Sequence, residues 1–331
     1  MEKLRLLQID LTDECPLFCS HCSNSSGPAR QLTFPFTILN ALIAQASILG
    51  VETLVFSGGE PLRYPKLRDA LACALSEGIS VSLFSTGISN MTSRLPISVA
   101  EWAYLKSAGL RTAAFSVYSS PQRREIHNAV VRLRPRTGDA FEANESAIIA
   151  AHNAGVEVQI HYIPSSGSLG TLQDIHEWAE KLHCSVLHIQ MPTLQGRNAG
   201  SREVYVDGEQ ERSLAEEVER LSLSSRTAVH ISRFWRYRWG WLSSLEHDMR
   251  NQLIIRTDGA VSICNACKYL NGQPPRENIL LASRSLADIW SDSAEVARTH
   301  NCLEDRCDEE PAKAGGGCSD MRIVPTNVSV S

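Results

Sequence analysis

Short apolar runs and amphipathic stretches alternate along the first two-thirds of the chain. The runs LRLLQIDL, ETLVFSG, ISVSLFST, RTAAFSVYS, VEVQIHYIP and SVLHIQMP predict six strands. Between them, TILNALIAQASILG, LRDALACALSEG, SVAEWAYLKSAG, AFEANESAIIAAHNAG and LQDIHEWAEKLH carry helical patterns. Several of these end in Gly, as helix C-termini often do. Six strands separated by helices imply a parallel sheet with right-handed crossovers. No repeat other than this alternation is evident. The pattern changes after about residue 200, where a charged helix is predicted from Asp207 to Leu223. FWRYRWGW follows, with Trp235, Trp239 and Trp241 among arginines. It reads either as a lid that stacks on a substrate or as a helix whose aromatic stripe packs on the sheet. LIIRTDGAVSIC then reads as a hairpin turning at Asp258-Gly259.

At 331 residues the chain exceeds one average domain and fits one barrel with an extension. A hydrophobic content of 43% provides for a sizeable core, and a net charge of −5 leaves no broad basic surface of the kind nucleic acid demands. The start MEKLRLLQ lacks a long apolar stretch, so neither a signal peptide nor a membrane helix is expected. Ten cysteines in a chain this large, and clustered, favour metal binding in a reducing cytoplasm over disulfides. The Asn-x-Ser/Thr matches at Asn24, Asn90 and Asn327 are then chance. Cys73 and Cys184 fall in apolar contexts that suit buried small side chains.

The candidate chemistry sits in two segments. CPLFCSHC places Cys15, Cys19 and Cys22 at C-x3-C-x2-C after the first strand. Three thiolates can hold three irons of a 4Fe–4S cluster and leave the fourth iron open. With His21 as a fourth ligand, the same set would make a zinc knuckle. About one βα unit downstream, TLVFSGGEPL puts Gly58, Gly59, Glu60 and Pro61 directly after the second strand. Two glycines let a ligand approach the backbone, the carboxylate can accept from an ammonium group, and Pro61 fixes the exit of the turn.

With these two motifs in this order, the chain resembles the radical S-adenosylmethionine (radical SAM) enzymes. The resemblance implies an α/β fold, a partial (β/α)6 TIM-like barrel with its chemistry at the strand C-termini. It implies that Cys15, Cys19 and Cys22 bind the cluster and that the amine and carboxylate of S-adenosylmethionine chelate the open iron. Gly58, Gly59 and Glu60, in the turn closed by Pro61, would hold the methionine moiety. His21 sits where the family often places a ring near the adenine. Ser116, in TAAFSVYSS, matches a position that contacts the ribose or carboxylate, and FSTG (Ser85, Thr86, Gly87) loosely matches the third-strand motif. The implied reaction is reductive cleavage to methionine and a 5′-deoxyadenosyl radical, which abstracts hydrogen from a substrate. A reductase such as flavodoxin or ferredoxin would supply the electron.

Five further cysteines, Cys264, Cys267, Cys302, Cys307 and Cys318, fall within 55 residues near the C-terminus. Composition alone allows zinc there. The DG hairpin ending in Cys264, the helix SLADIW and the run GGGC resemble the auxiliary-cluster extension called SPASM or twitch. A full SPASM pattern supplies seven cysteines for two clusters. Here Ala314 stands where another Cys usually precedes GGGC, so the resemblance implies one auxiliary 4Fe–4S cluster. Its ligands would be Cys264, Cys318 and two of Cys267, Cys302 and Cys307. The expected organisation is a partial barrel over 1–205, a helical linker or lid over 206–250, and a small cysteine-rich α+β extension over 251–331.

An auxiliary cluster that takes up an electron suits oxidation of the substrate. Epimerisation needs instead a hydrogen donor, for which a spare thiol such as Cys267 or Cys302 would serve. Relatives with such extensions act on ribosomal peptides or on small molecules such as aminoglycosides. SVYSSPQRREIH followed by RTGDAFEA resembles a loop and helix start common in peptide-modifying members. Only 14 residues precede Cys15, so a peptide substrate implies a separate leader-peptide-binding protein. Arg132, Arg134 and Arg136 in HNAVVRLRPR suit an acidic substrate or a solvated face. His161 and Gln190 lie on late strands, where alternation alone leaves the direction of each side chain open. The non-catalytic alternative is a zinc-stabilised scaffold, against which the two intact motifs argue.

Overall fold

In the computed structural model, residues 3–90, 95–132, 139–190, 195–198, 208–222, 226–231, 251–262, 278–280 and 284–299 are described. The six predicted strands form as β1 (Leu6–Thr12), β2 (Thr53–Gly58), β3 (Ser80–Ser85), β4 (Leu110–Val117), β5 (Glu157–Tyr162) and β6 (Val186–Ile189). Helices α1 (Phe36–Ile48), α2 (Leu67–Ser76), α3 (Val99–Ser107), α4 (Arg124–Val130), α5 (Ala140–Asn153) and α6 (Leu172–Lys181) connect them. Of these, only the short α4 lacked a helical pattern in the sequence. Local chemistry marks the starts. Ser98 and Glu101 form a reciprocal capping box on α3, and the Asp139 carboxylate caps α5 by accepting from the N–H groups of Phe141 and Glu142. The charged helix appears as α7 (Gly208–Ser222), and SLADIW opens α8 (Leu286–Thr299).

Three more strands complete the sheet: β7 (Ala228–Ile231), β8 (Gln252–Ile255) and β9 (Val261–Ser262). The strand order is β7-β6-β5-β4-β3-β2-β1-β8-β9, and every pair is parallel except β8–β9. The predicted hairpin is therefore present, and its first strand also extends the barrel sheet beside β1. Nothing local announces that pairing, because the partners stand about 245 residues apart along the chain. Nor was β7 foreseen: it is four residues long and only partly buried.

Alternation divides the strands into two faces. Leu7, Ile9 and Leu11 of β1, Leu54 and Phe56 of β2, and Ile160 and Tyr162 of β5 pack with Leu39, Ile43 and Ile148 of the helices in one apolar core. Burying each such side chain contributes roughly 1.5–3 kcal/mol. The opposite face is buried as well, yet polar, with Gln8, Asp10, Ser82, Gln159, His161 and His188. Cys184 lies in the core and Cys73 packs partly against it. Among the described residues no helix is long and apolar enough to cross a membrane. FWRYRWGW, the five C-terminal cysteines and the expected boundaries at 205 and 250 lie outside the described residues.

Candidate cofactor site at the strand ends

The loop after β1 is held from three sides. It closes on itself, with Gly27 N–H donating to Asp13 O at 3.1 Å and Cys15 N–H to Gly27 O at 3.3 Å. The end of α4 accepts from it, through Ser20 N–H to Val130 O at 2.8 Å and Phe18 N–H to Val131 O at 3.3 Å. The segment after β6 donates to it, with Arg197 N–H on Cys22 O at 3.0 Å and Arg197 Nε on Cys19 O at 2.8 Å. Cys15 is buried, Cys19 and Cys22 are partly so, and all three are free thiols. Burial pushes the Cys15 thiol well above its usual range, and the nearby Cys19 adds to this. Burial, then Cys22, pushes Cys19 up to about 12.

This donor set fits a cluster better than a single ion. Cys15, Cys19 and Cys22 lie on one short loop, near enough to influence one another electrostatically. Among the described residues, however, no three ligating side chains stand close enough to hold one metal ion. Three soft thiol donors without a fourth are the donor chemistry of an iron–sulfur cluster with one open iron. His21, the candidate fourth zinc ligand, instead packs edge-on against Tyr118 with ring centroids 4.5 Å apart. Burial, with the Arg197 charge adding to it, lowers the His21 pKa to about 4, so the ring is neutral.

The Gly58–Pro61 turn is welded to this loop. Gly58 has φ +122°, and a Cβ there would lie 2.3 Å from Thr12 O; one on Gly59 would lie 2.4 Å from Glu14 O. The backbone these glycines admit is thus the cysteine loop itself. Gly59 N–H donates to Thr12 O at 2.6 Å and Glu60 N–H to Glu14 O at 2.8 Å. Arg63 adds a side-chain tie, donating to Glu14 Oε1 at 2.9 Å and to Ser89 O at 3.1 Å. Asn24 Nδ2 bridges Asp10 Oδ2 at 3.0 Å and Gly58 O at 3.2 Å. Pro61 opens a single 3-10 turn, Pro61–Arg63.

Glu60 is fully buried, and four donors converge on it. Its Oε1 accepts from the Ser85 hydroxyl at 2.7 Å and Leu62 N–H at 3.1 Å. Its Oε2 accepts from Thr86 N–H at 2.7 Å and from the Thr86 hydroxyl. A carboxylate offers about four lone-pair positions, and these donors fill them. Burial raises the Glu60 pKa, opposed by these hydrogen bonds. FSTG is therefore the anchor of Glu60, a partnership the loose motif match did not reveal.

Ser116 and Tyr118 lie two apart on one strand path, and the Ser116 hydroxyl acts on the Tyr118 phenol against the effect of burial. Tyr118 is a site residue that the sequence reading missed, although strand alternation from Ser116 points to it. It packs in one apolar cluster with Cys15 and Cys19. Burial, then Cys19, pushes its phenol well above the usual range. On its other side His127 lies 5.2 Å away between ring centroids.

The late strands settle the direction of His161 and Gln190. His161, His188 and His230 are cross-strand partners on β5, β6 and β7, with ring centroids 5.3 and 6.1 Å apart. They stand on the polar face opposite the helix-packed core. Gln190 Nε2 lies 3.1 Å from His161 Nδ1, and the Phe84 ring stands 4.7 Å from His161. Burial lowers the His161 pKa to about 4.

The sequence profile of the radical SAM superfamily matches residues 9–182, just over half of the chain. AdoMet-dependent heme synthase of Methanosarcina barkeri is 29% identical over 203 residues, covering 60% of this chain and 54% of that protein. PqqA peptide cyclase of Xanthomonas campestris is 27% identical over 308 residues, covering 88% and 74%. The chain thus spans about half the length of the first and three-quarters of the second. Streptococcus suis SuiB bound to S-adenosylmethionine superposes with a TM-score of 0.69 at 15% identity, covering 91% of this chain and 70% of that one, a likeness of fold. The profile match, on a chain whose cysteine loop and glycine turn interlock at the barrel mouth, makes this protein a member of the radical SAM superfamily, which uses a 4Fe–4S cluster and S-adenosylmethionine.

Proposed function

We propose that this enzyme modifies a ribosomally made peptide, by oxidation or by epimerisation. The observation that carries the reading is the direct backbone weld between the Cys15–Cys22 loop and the Gly58–Pro61 turn. It fixes the cluster ligands and the methionine-binding turn as one rigid unit, which radical generation requires. Cys15, Cys19 and Cys22 would hold the cluster, and bound S-adenosylmethionine supplies a radical able to abstract hydrogen from an unactivated C–H bond. Gly58 and Gly59 would present the turn to the methionine moiety. Glu60, its lone pairs occupied by Ser85, Thr86 and Leu62, holds that turn in place rather than reaching the ammonium itself. His21, backed by Tyr118, offers a neutral ring for the adenine, and Ser116 would act beside it on the same strand path.

The peptide substrate is supported by relatives. PqqA peptide cyclase aligns over most of this chain, and SuiB has been solved with its precursor peptide SuiA. The polar wall of His161, His188 and Gln190 would face the target residue. One auxiliary cluster on Cys264, Cys318 and two of Cys267, Cys302 and Cys307 would take up the electron in an oxidation. A flavodoxin or ferredoxin, a separate leader-binding protein and a cytoplasmic location complete the proposal.

The test uses protein purified and reconstituted without oxygen. About eight irons, falling to about four when Cys15, Cys19 and Cys22 become Ala, are expected for two four-iron clusters. Dithionite and S-adenosylmethionine should then give 5′-deoxyadenosine. With a precursor peptide, loss of two hydrogens marks oxidation, and uptake of one deuterium from heavy water marks epimerisation. Zinc in place of iron, with no 5′-deoxyadenosine, overturns the reading.

A further inference from the structure

In a chain of net charge −5, two arginines converge on the loop that carries Cys15, Cys19 and Cys22. Arg197 comes from 178 positions beyond Cys19. Its neighbour Gly196 makes the approach possible: it has φ +59°, and a Cβ there would lie 2.4 Å from Ser23 O and 2.5 Å from Cys22 O. The Arg197 main chain and Nε then bond to the carbonyls of Cys22 and Cys19, and the guanidinium rests 4.0 Å from the Phe18 ring centre. Arg132 stands over the same ring at 5.9 Å. Among the described residues no carboxylate pairs with Arg197.

We propose that Arg197 is a positioning and charge-balancing residue whose guanidinium clasps the cysteine loop and raises the reduction potential of the cluster held there. The proposal rests on the reading of this loop as an iron–sulfur site. A 4Fe–4S cluster on three thiolates carries net negative charge, which grows by one when it accepts an electron. A fixed cation in a partly buried setting favours the more negative, reduced form. Clasp and charge are separable by substitution. Lys keeps the charge, Gln keeps an amide donor without it, and neither alters the main-chain bond to Cys22.

The experiment is an EPR-monitored redox titration of the reconstituted full chain with dithionite, whose S–S bond dissociates to sulfur dioxide radical anions that each give the cluster one electron and leave as sulfur dioxide. The relevant signal is the one that changes on adding S-adenosylmethionine. In Arg197→Gln the ratio of reduced to oxidised cluster at a given potential should fall about tenfold, a shift of 59 mV to more negative values. Arg197→Lys should recover most of that shift. An unchanged potential in Arg197→Gln overturns the proposal, as does an equal loss in both variants. Should Arg197→Gln fail to take up iron, Arg132→Gln carries the test. This more distant, exposed arginine should give a smaller shift of the same sign, and no shift there overturns the idea. A wild-type protein that forms no SAM-responsive cluster would instead refute the reading of the loop.

Discussion

The ends of β1, β2 and β3 and the wall formed by β5 and β6, with the partly buried β7 at its edge, are both polar, yet they are built in opposite ways. At the first three strands main-chain bonds join the loop to the turn, and side chains such as Asn24, Glu60 and Arg63 tie onto that backbone. Thr12 and Glu14 accept from Gly59 and Glu60, and one carboxylate gathers donors from two strand ends. At the late strands the contacts are side chain on side chain, through His161, His188, His230, Gln190 and Phe84. Main-chain contacts tolerate almost no substitution and fix geometry, which suits a cofactor whose chemistry is constant. A wall of side chains can be altered without disturbing the backbone, which suits recognition of a particular substrate.

The sharpest way to break this contrast is Gly58→Ala. The new Cβ would stand 2.3 Å from Thr12 O, a backbone atom already tied into the loop, at a φ of +122°. Neither neighbour can yield without moving the cysteines. We expect a loss of about 4 kcal/mol or more, visible in urea unfolding, together with failure to retain iron at Cys15, Cys19 and Cys22. A variant as stable and iron-rich as the wild type would show that the weld does not hold the site.

Glu60→Gln asks whether the hub at these strand ends works by its shape or by its charge. The amide keeps the volume but turns one acceptor into a donor facing Ser85 or Thr86. With two buried donors losing their partner, stability should fall by about 2–3 kcal/mol. Affinity for S-adenosylmethionine should fall with it, because the turn is no longer held, while iron content is kept. Equilibrium dialysis with the ligand and an iron assay separate the two effects. Unchanged binding would remove Glu60 from the positioning of the turn.

The division between the two regions also explains what the sequence disclosed. The βα rhythm lies in local periodicity, so six strands and five helices were legible. Cys15, Cys19, Cys22 and Gly58–Pro61 were legible because their chemistry sits in contiguous residues. What stayed hidden is long-range. Nothing near Gly59 says that Glu14 will press against it. Nothing near Arg197 announces Cys19, and the β8–β1 pairing joins strands from opposite ends of the chain. The histidine row shows the same limit in milder form. Each His sits on a readable strand, but only the cross-strand register brings the three together.

The late-strand wall yields the smallest expected effect and a dependence on pH. Burial lowers the His161 pKa from 6.5 to about 4. Between these values the unfolded chain binds the proton more readily than the folded one, so stability is retained above pH 6.5 and is lost as pH falls toward 4. The loss from this one ring is about 2 kcal/mol at pH 5, at roughly 1.4 kcal/mol per pH unit. His161→Gln removes the titration and keeps a polar group beside Gln190. Near pH 7 its stability should lie within about 1 kcal/mol of the wild type, since a neutral polar side chain replaces a neutral ring. On going to pH 5 the variant should lose about 2 kcal/mol less than the wild type, as urea midpoints at the two pH values will register. Formation of 5′-deoxyadenosine without substrate should be unaffected, because no part of the cysteine loop or the glycine turn rests on this ring. A fall in that activity equal to that of Glu60→Gln would mean that the two regions act as one, and the separation of cofactor from substrate drawn from their construction would fail.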